Sequence, residues 1–137
     1  MNSIEWQVTS LELSKKLKEL GVKQASIWWW TNGLYIEDYG WSLNHQEQPR
    51  LRLGNPQEDN RYGDPGKEIW YCSAFTCAEL GKMLPDGIET IKIIEKFDMN
   101  YGKWSCGDKL ARAYDVLEAN ARAKMLIHLK ESGSVKP

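Results

Sequence analysis

Ten residues near the start of the chain, Val-Thr-Ser-Leu-Glu-Leu-Ser-Lys-Lys-Leu (8–17), return 67 positions later as Phe-Thr-Cys-Ala-Glu-Leu-Gly-Lys-Met-Leu (75–84). Five of the ten positions are identical. Each copy reads as a helix start: Thr9 or Thr76 as the N-cap, Glu12 or Glu79 closing a capping box, and an apolar pair, Val8 with Leu13 or Phe75 with Leu80, as a hydrophobic staple. Leu13, Leu17 and Leu20 form one apolar stripe, and Gly21 supplies the left-handed stop. Pro85 ends the second helix. Part of the similarity is shared cap chemistry; the remainder reads as an internal duplication.

A duplication predicts that similar elements follow each helix. Residues 26–30 and 34–39 are β-prone runs flanking Asn32-Gly33, a strong short hairpin signal. Residues 90–98 and 103–106 flank Asn100-Tyr101-Gly102, a second hairpin. A third helix is expected over 116–131, opening at Asp115 with Glu118 closing its box. Its apolar stripe is Leu117, Ala121, Met125 and Leu129, with Val116, Ala123 and Ile127 beside it. The expected architecture is α+β, αββ–αββ–α, with helices packed on antiparallel sheet. It forms a single domain over 1–137: one αββ unit at 8–39, a long loop at 40–69, a second αββ unit at 75–107 and a closing helix at 115–132. Within the loop, residues 50–53 read as a short strand.

Composition excludes several function classes. Lys plus Arg is 18 against 19 for Asp plus Glu, a net charge of -1, which argues against general nucleic-acid binding. No apolar run approaches the ~20 residues that span a bilayer, so no membrane partner is expected. The first ten residues lack a signal-peptide pattern, and three cysteines, an odd count, suit a reducing cytoplasm. Cys72, Cys77 and Cys106, even with His128, match no zinc spacing, and no metal or cofactor is expected. His45 and His128 have no partner nearby in sequence. No nucleophile motif, P-loop or dinucleotide turn is present, so the residues lean away from an enzyme.

The aromatic content is the remaining signal: seven Trp, six Tyr and two Phe. Trp28-Trp29-Trp30 sit on one expected strand, where side chains alternate between faces, so all three cannot enter one core. At least one of Trp28 and Trp30 should point away from the face of Trp29 and meet a ligand, the long loop or another chain. Tyr35 on the next strand and Trp41 beyond it extend the cluster. Arg50 and Arg52, two apart, share a face of an extended segment and could hold a phosphate or carboxylate against the rings. Arg61 and Lys67 lie in the same loop, but so do Glu47, Glu58 and Asp59, as in ordinary solvated charge. A third candidate, the anion-binding amides before the second helix at 71–76, is weakened because Thr76 and Glu79 already satisfy that end.

Residues 10–24 (SLELSKKLKELGVKQ), 73–85 (SAFTCAELGKMLP) and 119–129 (ANARAKMLIHL) together resemble a family of small proteins from phages, prophages and bacterial mobile elements. The resemblance covers the three helices, under a third of the chain, and brings no activity or catalytic residue with it. It implies a phage accessory protein acting in the cytoplasm of a bacterial host cell. The reading that follows is a non-enzymatic binding protein. Its partner would be a small anionic aromatic ligand of nucleotide type, such as a host defence signal, held by Trp28, Trp30, Tyr35, Trp41, Arg50 and Arg52. The alternative is a protein–protein interaction module that inhibits or redirects a host protein through a Trp-rich surface. A homo-oligomer is left open.

Overall fold

The computed structural model describes residues 3–32, 34–35, 49–54, 61–62 and 70–133. Among the described residues there are three α-helices, α1 (Leu11–Glu19), α2 (Cys77–Met83) and α3 (Glu118–Glu131), after a short 3-10 turn at Ser3–Trp6. They combine with antiparallel sheets in an α+β fold. None of the described helices is long and apolar enough to cross a membrane.

The second helix forms as its cap residues dictate. The Glu79 N–H donates to Thr76 Oγ1, and the Thr76 N–H donates to Glu79 Oε1. Phe75 and Leu80 are both fully buried in one cluster, as a staple requires. The first helix departs from that pattern, because Ser10 is its N-cap and accepts from the Leu13 N–H. Thr9 is instead buried in a polar knot. Its hydroxyl pairs with Ser14 Oγ at 2.6 Å and accepts the Phe75 N–H, while its own N–H donates to Phe75 O. Val8 and Thr76 form an isolated antiparallel bridge beside it. A threonine that serves as a ladder residue in this knot cannot also cap the helix that follows.

The first expected hairpin does not form. Strand β1 (Trp28–Thr31) is the centre of a three-stranded antiparallel sheet, between β3 (Arg50–Leu53) and β5 (Tyr71–Ala74). Strand β2 (Leu34–Tyr35) pairs with β4 (Arg61–Tyr62) rather than with β1. The end of β1 is tied to the start of β5: Asn32 Oδ1 accepts the Trp70 N–H, and the Thr31 hydroxyl donates to Trp70 O. An Asn engaged in this way does not close a two-residue turn. The short strand expected over 50–53 is present as β3. Residues 36–48, 55–60 and 63–69, including most of the expected second strand of this hairpin and of the 40–69 loop, lie outside the described residues.

The second expected hairpin is present: β6 (Glu89–Lys92) pairs with β7 (Trp104–Gly107). A strand that the sequence reading missed, β8 (Arg112–Asp115), completes a sheet ordered β6–β7–β8. Asp115 therefore ends a strand instead of opening a helix. Its carboxylate accepts the Leu117 N–H and pairs with Lys124 at 2.8 Å. Each of the first two helices is thus followed by a three-stranded sheet, but the first strand is central in one and the second strand in the other. The topology does not confirm the duplication.

Helix α3 organises the core. Ala119, Ala123, Leu126 and Ile127 pack with Leu17 of α1, Leu80 of α2 and Phe75 just before it. On its other side Ala121, Met125 and Leu129 pack with Cys106 of the second sheet. Three alanines in this helix are fully buried, which lets neighbouring backbones approach closely. Val116, expected beside the apolar stripe, is exposed.

Candidate functional site

The register of the first sheet separates the residues that sequence reasoning grouped. Residues directly opposite on adjacent strands share a face. Trp28 stands beside Leu53 and Ala74, and Trp30 beside Leu51 and Cys72. Arg50 and Arg52 share the opposite face with Thr31, Trp29, Tyr71 and Ser73. The expected alternation is therefore present, with Trp28 and Trp30 both turned away from Trp29. The two rings and the two guanidiniums, however, do not converge. Trp30 meets the segment leading into α1, where its indole N–H donates to Thr9 O at 2.9 Å. Trp29 is 3% exposed, edge-on to Tyr71 with centroids 5.8 Å apart. Arg50 is partly buried, and desolvation lowers its guanidinium below the ordinary value. Tyr35 lies in β2, and Trp41 is outside the described residues.

The three cysteines are free thiols. Among the described residues no group of three His, Cys, Asp or Glu stands close enough to hold a metal ion. Cys77 is pushed up to about 12, first by burial, then by its hydrogen bond to Glu118 and by the charge of that carboxylate, with Arg122 opposing. A thiol in the unfolded chain ionises near 9.0, whereas the folded one keeps its proton to about 12. The folded state thus binds more protons across that interval, and its stability falls as pH rises through it. Urea denaturation is expected to show this alkaline loss, with a shallower slope in Cys77→Ala. Equal slopes would remove Cys77 as the cause.

The second sheet presents a different kind of surface. On its outer face Ile91, Ser105 and Tyr114 form one row across the three strands. Ser105 is buried beneath Arg112, which donates to the Ser105 hydroxyl and to Glu89 Oε1. The loop joining β6 to β7 is closed by its own backbone. Gly102 N–H donates to Ile93 O, Tyr101 N–H to Asp98 O, and Asp98 Oδ1 accepts the Asn100 N–H. This internal bonding leaves the apolar side chains in water. Phe97 is fully exposed, Met99 is 92% exposed and Ile94 76%. The sequence carried a signal that the hairpin reading passed over. Ile94, Phe97 and Met99 interrupt a charged turn, where solvated residues would be expected.

Among the described residues, two open cavities border this sheet. One, of about 810 Å³, lies at the β7–β8 turn against Glu89, Asp108, Lys109, Leu110, Arg112 and Tyr114. Its charges are of both signs and largely spoken for. Asp108 is held below its usual range by the N–H groups of Ala111 and Leu110, and Arg112 is paired with Glu89 at 3.3 Å. The other, of about 450 Å³, lies between Trp6, Thr76, Trp104, Val116 and Glu118. There Glu118 is paired with Arg122 at 3.1 Å. Neither cavity presents a converging set of groups that would fix a small ligand. No protein-family model, curated protein or solved structure matches this chain.

Proposed function

We propose that the chain is a non-enzymatic binding protein that engages another protein through the tip of the β6–β7 hairpin. The observation that carries this reading is the full exposure of Phe97 beside exposed Met99 and Ile94 on an internally bonded turn. Apolar side chains grouped in water on an ordered scaffold mark interaction sites. The knob is convex, so it suits a concave apolar pocket on a partner, where a few buried side chains carry most of the binding energy. This replaces the Trp-rich strand as the contact surface. The resemblance of the three helical segments to phage proteins makes a bacterial host protein the natural partner, met in the host cytoplasm.

The test is cross-linking in bacterial cells followed by affinity measurement with each captured protein. Phe97→Asp with Met99→Asp is expected to weaken that affinity by roughly tenfold or more, since hot-spot truncations cost ~2 kcal/mol and above. Both side chains are exposed, so the melting temperature should hardly change. Unchanged affinity in the double variant sinks this reading. A small anionic aromatic ligand remains the second reading, favoured by Arg50 and Arg52 sharing a face with the partly exposed Tyr71. A nucleotide-type molecule released in stoichiometric amount on denaturing the wild type, but not Arg52→Ala, would favour it over the first.

A further inference from the structure

The β6–β7–β8 sheet has an open side. The Ile93 N–H donates to Lys103 O, which places residues 93 and 103 at a hydrogen-bonded pair of the antiparallel ladder. Bonded and non-bonded pairs alternate, so Glu89 and Ile91 turn their backbone groups to β7 while Thr90 and Lys92 turn theirs away from it. Among the described residues, no backbone hydrogen bond from another segment reaches Thr90 or Lys92 on that outer side. An edge with free N–H and C=O groups is a template for another strand, and folded proteins ordinarily guard it with charge. Here the two charges of β6 are each engaged by a group of their own sheet. The Lys92 ammonium lies over the Trp104 ring, 5.7 Å from its centroid, and Glu89 pairs with Arg112. Ile91 stands on the outer face, 47% exposed.

We propose that β6 pairs antiparallel with β6 of a second copy, joining the two sheets into one continuous six-stranded sheet about a two-fold axis at Ile91. In this register Thr90 exchanges backbone hydrogen bonds with the partner's Lys92, and Lys92 with the partner's Thr90. Ile91 meets the partner's Ile91 as a non-bonded pair, the closer kind, with side chains in contact. Charge favours the arrangement. One end of the strand carries Asp86 and Glu89 and the other Lys92, Glu95 and Lys96, so antiparallel self-pairing sets a net negative end of each copy toward a net positive end of the other. Ile94, exposed in the single chain, then lies beside the partner's Ile88. A register centred on Lys92 would oppose two ammoniums and is disfavoured. The hairpin tips point to opposite ends of the joined sheet, so this contact leaves Phe97 and Met99 of the proposed partner-binding knob free.

Sedimentation velocity over a wide concentration range is expected to show a monomer–dimer equilibrium. Ile91→Lys places two like charges across the axis, and so does Ile91→Glu. Each is expected to weaken dimerisation by roughly tenfold or more, given the cost of directly opposed like charges. Mixing the two variants in equal amounts should restore the dimer, because Lys then opposes Glu. That rescue also shows that both variants are folded. A wild type that stays monomeric at every concentration overturns the proposal. So does a dimer that survives Ile91→Lys, or a mixture that remains monomeric. A dimer lost in Phe97→Asp with Met99→Asp but kept in Ile91→Lys would make the hairpin tip the self-contact, which also overturns it.

Discussion

Trp29→Ala is expected to lower the free energy of unfolding by about 3–5 kcal/mol, the usual cost of truncating a large aromatic in a core. The ring is almost wholly removed from solvent, packs edge-on against Tyr71, and its N–H donates to Ser26 O at 3.0 Å. Truncation leaves a void between two sheet neighbours and a carbonyl without its donor. Trp28→Ala and Trp30→Ala should both cost less, since each ring is partly exposed. Of these two, Trp30→Ala also loses the bond to Thr9 O, worth about 1 kcal/mol. Urea denaturation of the three variants gives the ranking, with a tryptophan-independent signal such as far-ultraviolet dichroism. If Trp28→Ala proves the most damaging, the burial assigned to this strand is wrong.

Gly107→Ala is expected to destabilise by about 1–3 kcal/mol or to prevent folding, because the added methyl meets backbone that cannot swing aside. A Cβ there would stand 2.7 Å from Arg112 Cα and closer still to Ala111 O, across the tight β7–β8 turn. Relief requires opening the turn, which carries the Asp108 N–H bond to Ala111 O and the start of β8. Gly81→Ala is the informative contrast. Its Cβ would approach only Arg122 Nη1, at 2.6 Å, the far end of a flexible side chain. Displacing that group loses its bond to Cys77 O, while alanine gains ~1 kcal/mol of helix propensity. The two effects oppose, so the net change should lie within about 1 kcal/mol. Thermal melts compare the pair, and similar losses for both would contradict the geometry at Gly107.

Local chemistry was legible wherever one segment decides its own conformation. The Thr76–Glu79 box, the end of α2 before Pro85 and the β6–β7 hairpin all follow from residues a few positions apart. Legibility failed where a distant segment competes. Thr9 has the chemistry of a cap, but Phe75 claims it as a strand partner. Asn32 has the chemistry of a turn, but the Trp70 N–H takes its side chain. Neither competitor is visible in a local window. For the candidate site, alternation correctly put Trp28 and Trp30 opposite Trp29. It could not tell which face Arg50 and Arg52 would join, because that depends on the register between β1 and β3. A shift of one residue in that register would have placed guanidiniums and rings together.

The polar knot at Thr9 bears on how the chain can fold during synthesis. Thr9 is bonded to Phe75, and the Ser10 N–H donates to Asn120 Oδ1, a partner 110 residues further along. The first helix therefore cannot complete its native start until α3 has been made. While the chain is still growing, Leu17 and its neighbours have no α3 to pack against and remain exposed. Domains with such long-range closures fold slowly and leave apolar surface open in the meantime. A chain truncated before α3 should thus depend on chaperones and be cut readily by proteases, whereas the released full chain should not.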